Sequence, residues 1–141
     1  MEASPLLEPA ETLLIVDDEP LMTDLFNQFM TRRGYRVLTA QDGPTALSIL
    51  HTERENVALV ITDMSLPQMD GIDISNAIAE FLPDTPVLIA TGHDQASALS
   101  RLPGNVVAVI QKPYQNRELA SRIQEILHTR RSHEQSSAAG L

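Results

Sequence analysis

Five short apolar runs punctuate the chain: Leu13-Leu14-Ile15-Val16, Val37-Leu38-Thr39-Ala40, Val57 to Ile61, Val87-Leu88-Ile89-Ala90 and Val106 to Ile110. Most lack alternation with polar residues, the pattern of strands whose two faces are both covered, as in a parallel sheet flanked by helices. Between the runs, apolar positions recur every three or four residues. Over 20–33, Leu21, Met22, Leu25, Phe26, Phe29 and Met30 make one apolar stripe, with Pro20 suited to a first helical turn and Gly34 to the exit. The same period predicts helices at 44–52 (Ala46, Leu47, Leu50), 71–82 (Ile74, Ala77, Ile78, Phe81) and 115–129 (Leu119, Ile123, Ile126, Leu127). A weaker pattern covers 94–102 (Ala96, Ala98, Leu99, Leu102), cut short by Pro103-Gly104. Five strands alternating with five helices predict an α/β fold, a doubly wound parallel sheet with right-handed crossovers and ligands at the carboxyl ends of its strands. Residues 1–11 and 130–141 carry no periodicity and are expected to be flexible, which leaves one domain at 12–129 and no internal repeat.

Composition narrows the function classes. A chain of 141 residues suits one core, and 43% hydrophobic with 21% charged residues is ordinary for a globular protein. Without cysteine, disulfides and thiolate metal sites are excluded, and a reducing cytoplasm is the simplest compartment. MEASPLLEPAE has neither a basic nor an apolar leader region, and no apolar run approaches the roughly 18 residues of a membrane span, so neither secretion nor membrane insertion is expected. A net charge of −9, with only Arg32-Arg33 and Arg130-Arg131 adjacent among the basic residues, opposes direct nucleic-acid binding.

The chemistry collects at strand ends. Asp17, Asp18 and Glu19 follow the first run and Asp63 follows the third; in a parallel sheet both emerge on one edge. Carboxylates gathered there stay ionised at neutral pH if a cation shares the site, and Mg²⁺, which takes carboxylate and carbonyl oxygens with water, is the natural candidate, with Mn²⁺ as a substitute. Asp17-Asp18 could equally serve the amino end of the helix at 20–33. Thr91 closes the fourth run and Lys112, the single lysine of the chain, closes the fifth. A hydroxyl and an ammonium opposite a metal would share the remaining oxygens of a transferred phosphoryl group.

Residues 12–129 resemble the response-regulator receiver family. Leu14-Ile15-Val16-Asp17-Asp18-Glu19-Pro20 is similar to its acidic opening, and Ile61-Thr62-Asp63-Met64-Ser65-Leu66-Pro67-Gln68-Met69-Asp70-Gly71 to its phosphorylation loop; Thr91-Gly92 and Lys112-Pro113 complete the set. The resemblance implies a flavodoxin-like sheet of order 2-1-3-4-5. It implies Asp63 as phosphoacceptor, Asp18 and Asp63 as direct metal ligands, Ser65 as a ligand through its backbone carbonyl, and Asp17 as a ligand through a water. Thr91 is then the switch hydroxyl, and Lys112 pairs with the acceptor or its phosphoryl group. The implied partners are a histidine kinase or phosphotransfer protein and a downstream protein target. Val109 departs from the family, which commonly has an aromatic residue or histidine three positions before the lysine.

Other residues carry less. His51 and His128 fall near expected helix C-termini, His133 in the expected tail, and His93, two residues beyond Thr91, could border the pocket as a modulator. Gly34, Gly43 and Gly71 read as turn residues, and no glycine-rich nucleotide cradle is present. A Mg²⁺-dependent phosphohydrolase working through an aspartyl phosphate would need a second acid near its nucleophile, and Ser65 cannot serve. A receiver used purely for binding would not need the complete phosphorylation set. On this reading the protein is a signalling module that catalyses its own phosphorylation and dephosphorylation, and no enzyme acting on other substrates.

Overall fold

The computed structural model describes residues 10–92 and 100–139, with 132–139 as backbone alone. The elements run β1 (Thr12–Val16), α1 (Pro20–Arg32), β2 (Arg36–Ala40), α2 (Gly43–Glu53), a 3-10 turn (Arg54–Asn56), β3 (Val57–Asp63), α3 (Gly71–Phe81), β4 (Val87–Thr91), β5 (Val106–Gln111) and α4 (Asn116–Ala139). The five strands form one parallel sheet of order β2-β1-β3-β4-β5.

The apolar runs are continuous because successive strand residues feed two separate cores. Leu13, Ile15, Leu59, Ile61 and Leu88 point to one face and pack with Phe26 and Met30 of α1 and Leu119, Ile123 and Leu127 of α4. Leu14, Val16, Val60, Val87 and Ile89 point to the other and pack with Leu50 of α2 and Ile74 and Ile78 of α3. Burying each such side chain contributes roughly 1.5–3 kcal/mol relative to leaving it in water. Local chemistry sets the helix starts. Pro20 opens α1, Asp42 accepts the Thr45 N–H at 2.7 Å to cap α2, and Asp70 and Asp73 form a reciprocal capping box on α3.

Two expectations change. Four α-helices are found among the described residues; the expected helix at 94–102 lies outside them except for its last three positions, and His93 lies outside as well. The last helix does not end at 129 but runs to Ala139. Nothing from Arg130 to Ala139 is glycine or proline, so the ladder continues by propensity after Leu127, its last buried apolar residue, has left the core. Arg131 pairs with Glu11, and Arg130 donates to the Asp84 carbonyl, tying α4 to the amino-terminal edge of the sheet. His128 is therefore well inside a helix, and His133 lies in helical backbone.

Candidate functional site

The carboxyl edge of the sheet brings Asp17, Asp63, Thr91 and Lys112 together as strand order requires, since β1, β3, β4 and β5 are neighbours. Carboxylate oxygens of Asp17, Asp18 and Asp63 all lie within 4.8 Å of one another. Asp17 and Asp63 are nearly buried, at 2% and 8% exposure, whereas Asp18 faces solvent. Lys112 Nζ donates to Asp63 Oδ2 at 2.7 Å and stands 3.9 Å from Asp17 Oδ2. Three carboxylates against one ammonium leave two surplus negative charges in a half-enclosed space, the deficit one divalent cation would balance. Three hard oxygen donors at this separation fit Mg²⁺ or Mn²⁺.

Burial pushes the Asp17 carboxyl above its ordinary value; the Glu19 N–H and the Lys112 charge oppose the rise, and the neighbouring Asp63 charge adds to it. Burial alone would lower the Lys112 ammonium, but the hydrogen bond and charge of Asp63, with the charge of Asp17, hold it above its ordinary value. The acidic pair does not cap α1. The residue at the cap position is Glu19, whose side chain makes no capping bond, and Asp17 Oδ1 instead accepts the Glu19 N–H at 3.0 Å, tightening the turn that presents Asp18.

The remaining expected residues sit around this cluster. The Ser65 N–H donates to Asp63 Oδ1 at 3.3 Å, so the loop after β3 folds back towards Asp63. Thr91, 4% exposed, ends β4, and its carbonyl accepts the Lys112 N–H at 2.7 Å. Val109 pairs with Ile89 across β4 and β5, and no ring stands at that position. His51 stacks on Phe81 of α3 with ring centroids 3.9 Å apart, remote from the acids.

Residues that sequence reasoning treated as turns have a different role. Gly71 is the first residue of α3, and a Cβ there would lie 3.0 Å from Met64 Cα and 3.1 Å from the Asp63 carbonyl oxygen. Its N–H donates to Met64 O at 2.8 Å, closing the loop at its base. Gly43 is likewise the first residue of α2, against Met69. The available signal was a glycine just after an aspartate cap, where alanine is the better helix former.

The model of the response regulator receiver domain matches residues 13–124, which carry every group in this cluster. The chain belongs to that family. As a receiver domain it is 34% identical to the transcriptional regulatory protein GlrR of Escherichia coli K12 over 116 residues, 82% of this chain but 26% of that one. It is also 34% identical over 124 residues to the transcriptional regulatory protein CpxR of the same organism, covering 86% of this chain and 50% of that one. The chain thus spans between a quarter and a half of these curated relatives. Among solved structures, a receiver domain from Clostridium thermocellum superposes with a TM-score of 0.78 at 27% identity, covering 85% of this chain and 96% of that one. The signal receiver domain of an HD domain-containing protein from Pseudomonas fluorescens Pf-5 gives 0.80 at 25% identity, covering 94% and 97%. Among the described residues no helix is long and apolar enough to cross a membrane.

Proposed function

We propose that the receiver takes a phosphoryl group onto Asp63 from a phosphohistidine of a histidine kinase or phosphotransfer protein, in the cytoplasm, and that Mg²⁺ held by Asp18, Asp63, the Ser65 carbonyl and, through a water, Asp17 is required. The observation that carries this reading is the convergence of three carboxylate groups within 4.8 Å with the one lysine hydrogen-bonded to the nearly buried Asp63 at the end of β3. A divalent cation bound there supplies neutralising charge and binds phosphoryl oxygens. An Asp63 carboxylate oxygen attacks phosphorus, the bond from phosphorus to the donor imidazole nitrogen breaks, and that nitrogen keeps the electron pair. Lys112, already 2.7 Å from the acceptor, moves with the new acyl phosphate and pairs with its charge. The Thr91 hydroxyl, at the next strand end, is the donor for a further phosphoryl oxygen.

The product is a signalling state, and the chain's catalysis is confined to its own phosphorylation and the hydrolysis of the resulting acyl phosphate by water. An aspartyl-phosphate hydrolase acting on other substrates is disfavoured because the residue two beyond Asp63 is a serine, and the Asp70 and Asp73 carboxylates are committed to capping α3. Acetyl phosphate with Mg²⁺ should modify the protein on Asp63 alone, read by intact mass and peptide mapping, and Asp63→Asn should remain unmodified. Equal labelling of the Asn variant would reject Asp63 as acceptor.

A further inference from the structure

The two halves of the carboxylate cluster come from different strand ends, Asp17 and Asp18 just after β1 and Asp63 as the last residue of β3, followed by its loop to Met69, and the turn between β2 and α2 touches both. The Asp17 N–H donates to the Ala40 carbonyl at 3.1 Å, so the last residue of β2 fixes the backbone of the acidic pair. Three residues on, Gly43 receives Met69: a Cβ at Gly43 would lie 2.8 Å from Met69 Sδ, 2.9 Å from Met69 Cβ and 3.2 Å from Ile74 Cγ1. Rotating the methionine side chain could relieve the sulfur contact, but Met69 Cβ is fixed to its backbone, so relief there must move the loop or the start of α2. Met69 is in turn strapped down by its own N–H on the Pro67 carbonyl at 2.7 Å, across Gln68 at a φ of 71°. The loop is thus closed at its base by Gly71 on Met64 and held at its far end by Met69 on Gly43.

We propose that the β2–α2 turn, residues 40–43, is a brace that sets the two halves of the cation site in register, and that Gly43 and Met69 are positioning residues for the loop carrying Asp63 and Ser65. The proposal rests on the reading of the carboxylate cluster as a Mg²⁺ site. Supporting contacts behind a metal's ligands commonly carry tenfold or more in affinity, because they hold the donors in place before the ion arrives.

The test uses the full 141-residue chain and three variants: Gly43→Ala, which intrudes on Met69; Met69→Ala, which removes the wedge and leaves the room; and Leu50→Ala, which opens a cavity beneath α2 about two turns along the helix from Gly43. Mg²⁺ dissociation constants come from calorimetric titration, and amide exchange of residues 64–69 is followed in metal-free protein. Gly43→Ala and Met69→Ala should each weaken Mg²⁺ roughly tenfold and speed exchange of 64–69. Leu50→Ala should lower Tm yet leave both readouts at parental values. If Gly43→Ala does not fold, Met69→Ala carries the test alone. Parental affinity and exchange in Met69→Ala would overturn the brace, as would an equal loss of affinity in Leu50→Ala. Should the parent itself bind no Mg²⁺, the cation-site reading fails, and metal-free exchange still decides whether the contact holds the loop.

Discussion

Lys112 reaches Asp63 with its ammonium at 2.7 Å and, through its own backbone N–H, also holds the Thr91 carbonyl at 2.7 Å. One residue therefore links Asp63 on β3 to the end of β4, and the ammonium would compete with any cation bound by the same carboxylates. Lys112→Met keeps the aliphatic stem and the backbone bond but removes the charge. Mg²⁺ should then bind on the order of tenfold tighter, because a unit positive charge a few ångströms from a dication repels it even at an effective dielectric near 20. Modification by acetyl phosphate should slow by about a hundredfold, the usual effect of losing one donor to a developing anion. Weaker Mg²⁺ binding with an unchanged modification rate would show that Lys112 is no part of the charge balance.

Asp17 gives a pH prediction with a definite sign. Burial raises its folded-state value above the ordinary 3.8, so the metal-free folded protein binds this proton more tightly than the unfolded chain does. Its contribution to stability is fully present below 3.8, fades as pH rises through the raised folded value, and is absent above it. Asp17→Asn should accordingly raise the Tm of metal-free protein at pH 7 by a few degrees, with the difference from the parent shrinking to nothing on acidification. Saturating Mg²⁺ should stabilise the parent more than the Asn variant. A lower Tm for Asp17→Asn at pH 7 without metal would mean that the pairing with Lys112 outweighs the burial penalty.

The sheet was legible because covered strands leave no polar alternation, and the site because a parallel sheet must bring the ends of β1, β3, β4 and β5 to one edge. Asp17, Asp18, Asp63, Thr91 and Lys112 could be placed from order alone. Contacts that cross the molecule were not legible. Nothing near Gly43 in the chain announces Met69, and nothing near His51 announces Phe81; both pairs exist only once α2 and α3 lie side by side on the sheet. The end of α4 was misjudged for a different reason. Apolar periodicity reports where a helix meets a core, and α4 outlasts its core by twelve residues, from Leu127 to Ala139.

Gly71 should tolerate no side chain. A Cβ would meet the backbone of Met64 at 3.0 Å and of Asp63 at 3.1 Å, and neither has a rotamer through which to yield. Gly71→Ala should lower stability by about 1–3 kcal/mol as overpacking, despite alanine's better helix propensity, and should slow acetyl phosphate modification of Asp63, the proposed acceptor, because the shifted atoms include its own carbonyl. Chemical denaturation and mass spectrometry read the two effects. A stabilised variant with parental modification kinetics would mean the helix start yields freely.

The proposed switch would have to work without a ring at position 109. Val109 sits in β5 opposite Ile89, and a valine has no ring whose rotation could report the state of the neighbouring strand end. What remains is main-chain coupling: Thr91 ends β4, and its carbonyl is held by the N–H of Lys112, whose ammonium bonds to Asp63. If the Thr91 hydroxyl engages a phosphoryl oxygen, the residue is drawn towards Asp63, and its carbonyl carries the Lys112 backbone and the end of β5 along. Beryllofluoride with Mg²⁺ should then change amide exchange over 91–104 and 110–112, with little change beyond the first turn of α1. Thr91→Ala should still bind beryllofluoride at Asp63, since the carboxylates and Lys112 are intact, but should lose most of the exchange response over 91–104. A full response in Thr91→Ala would exclude the hydroxyl as trigger and transfer that role to the ammonium of Lys112, whose Met variant should then lose it.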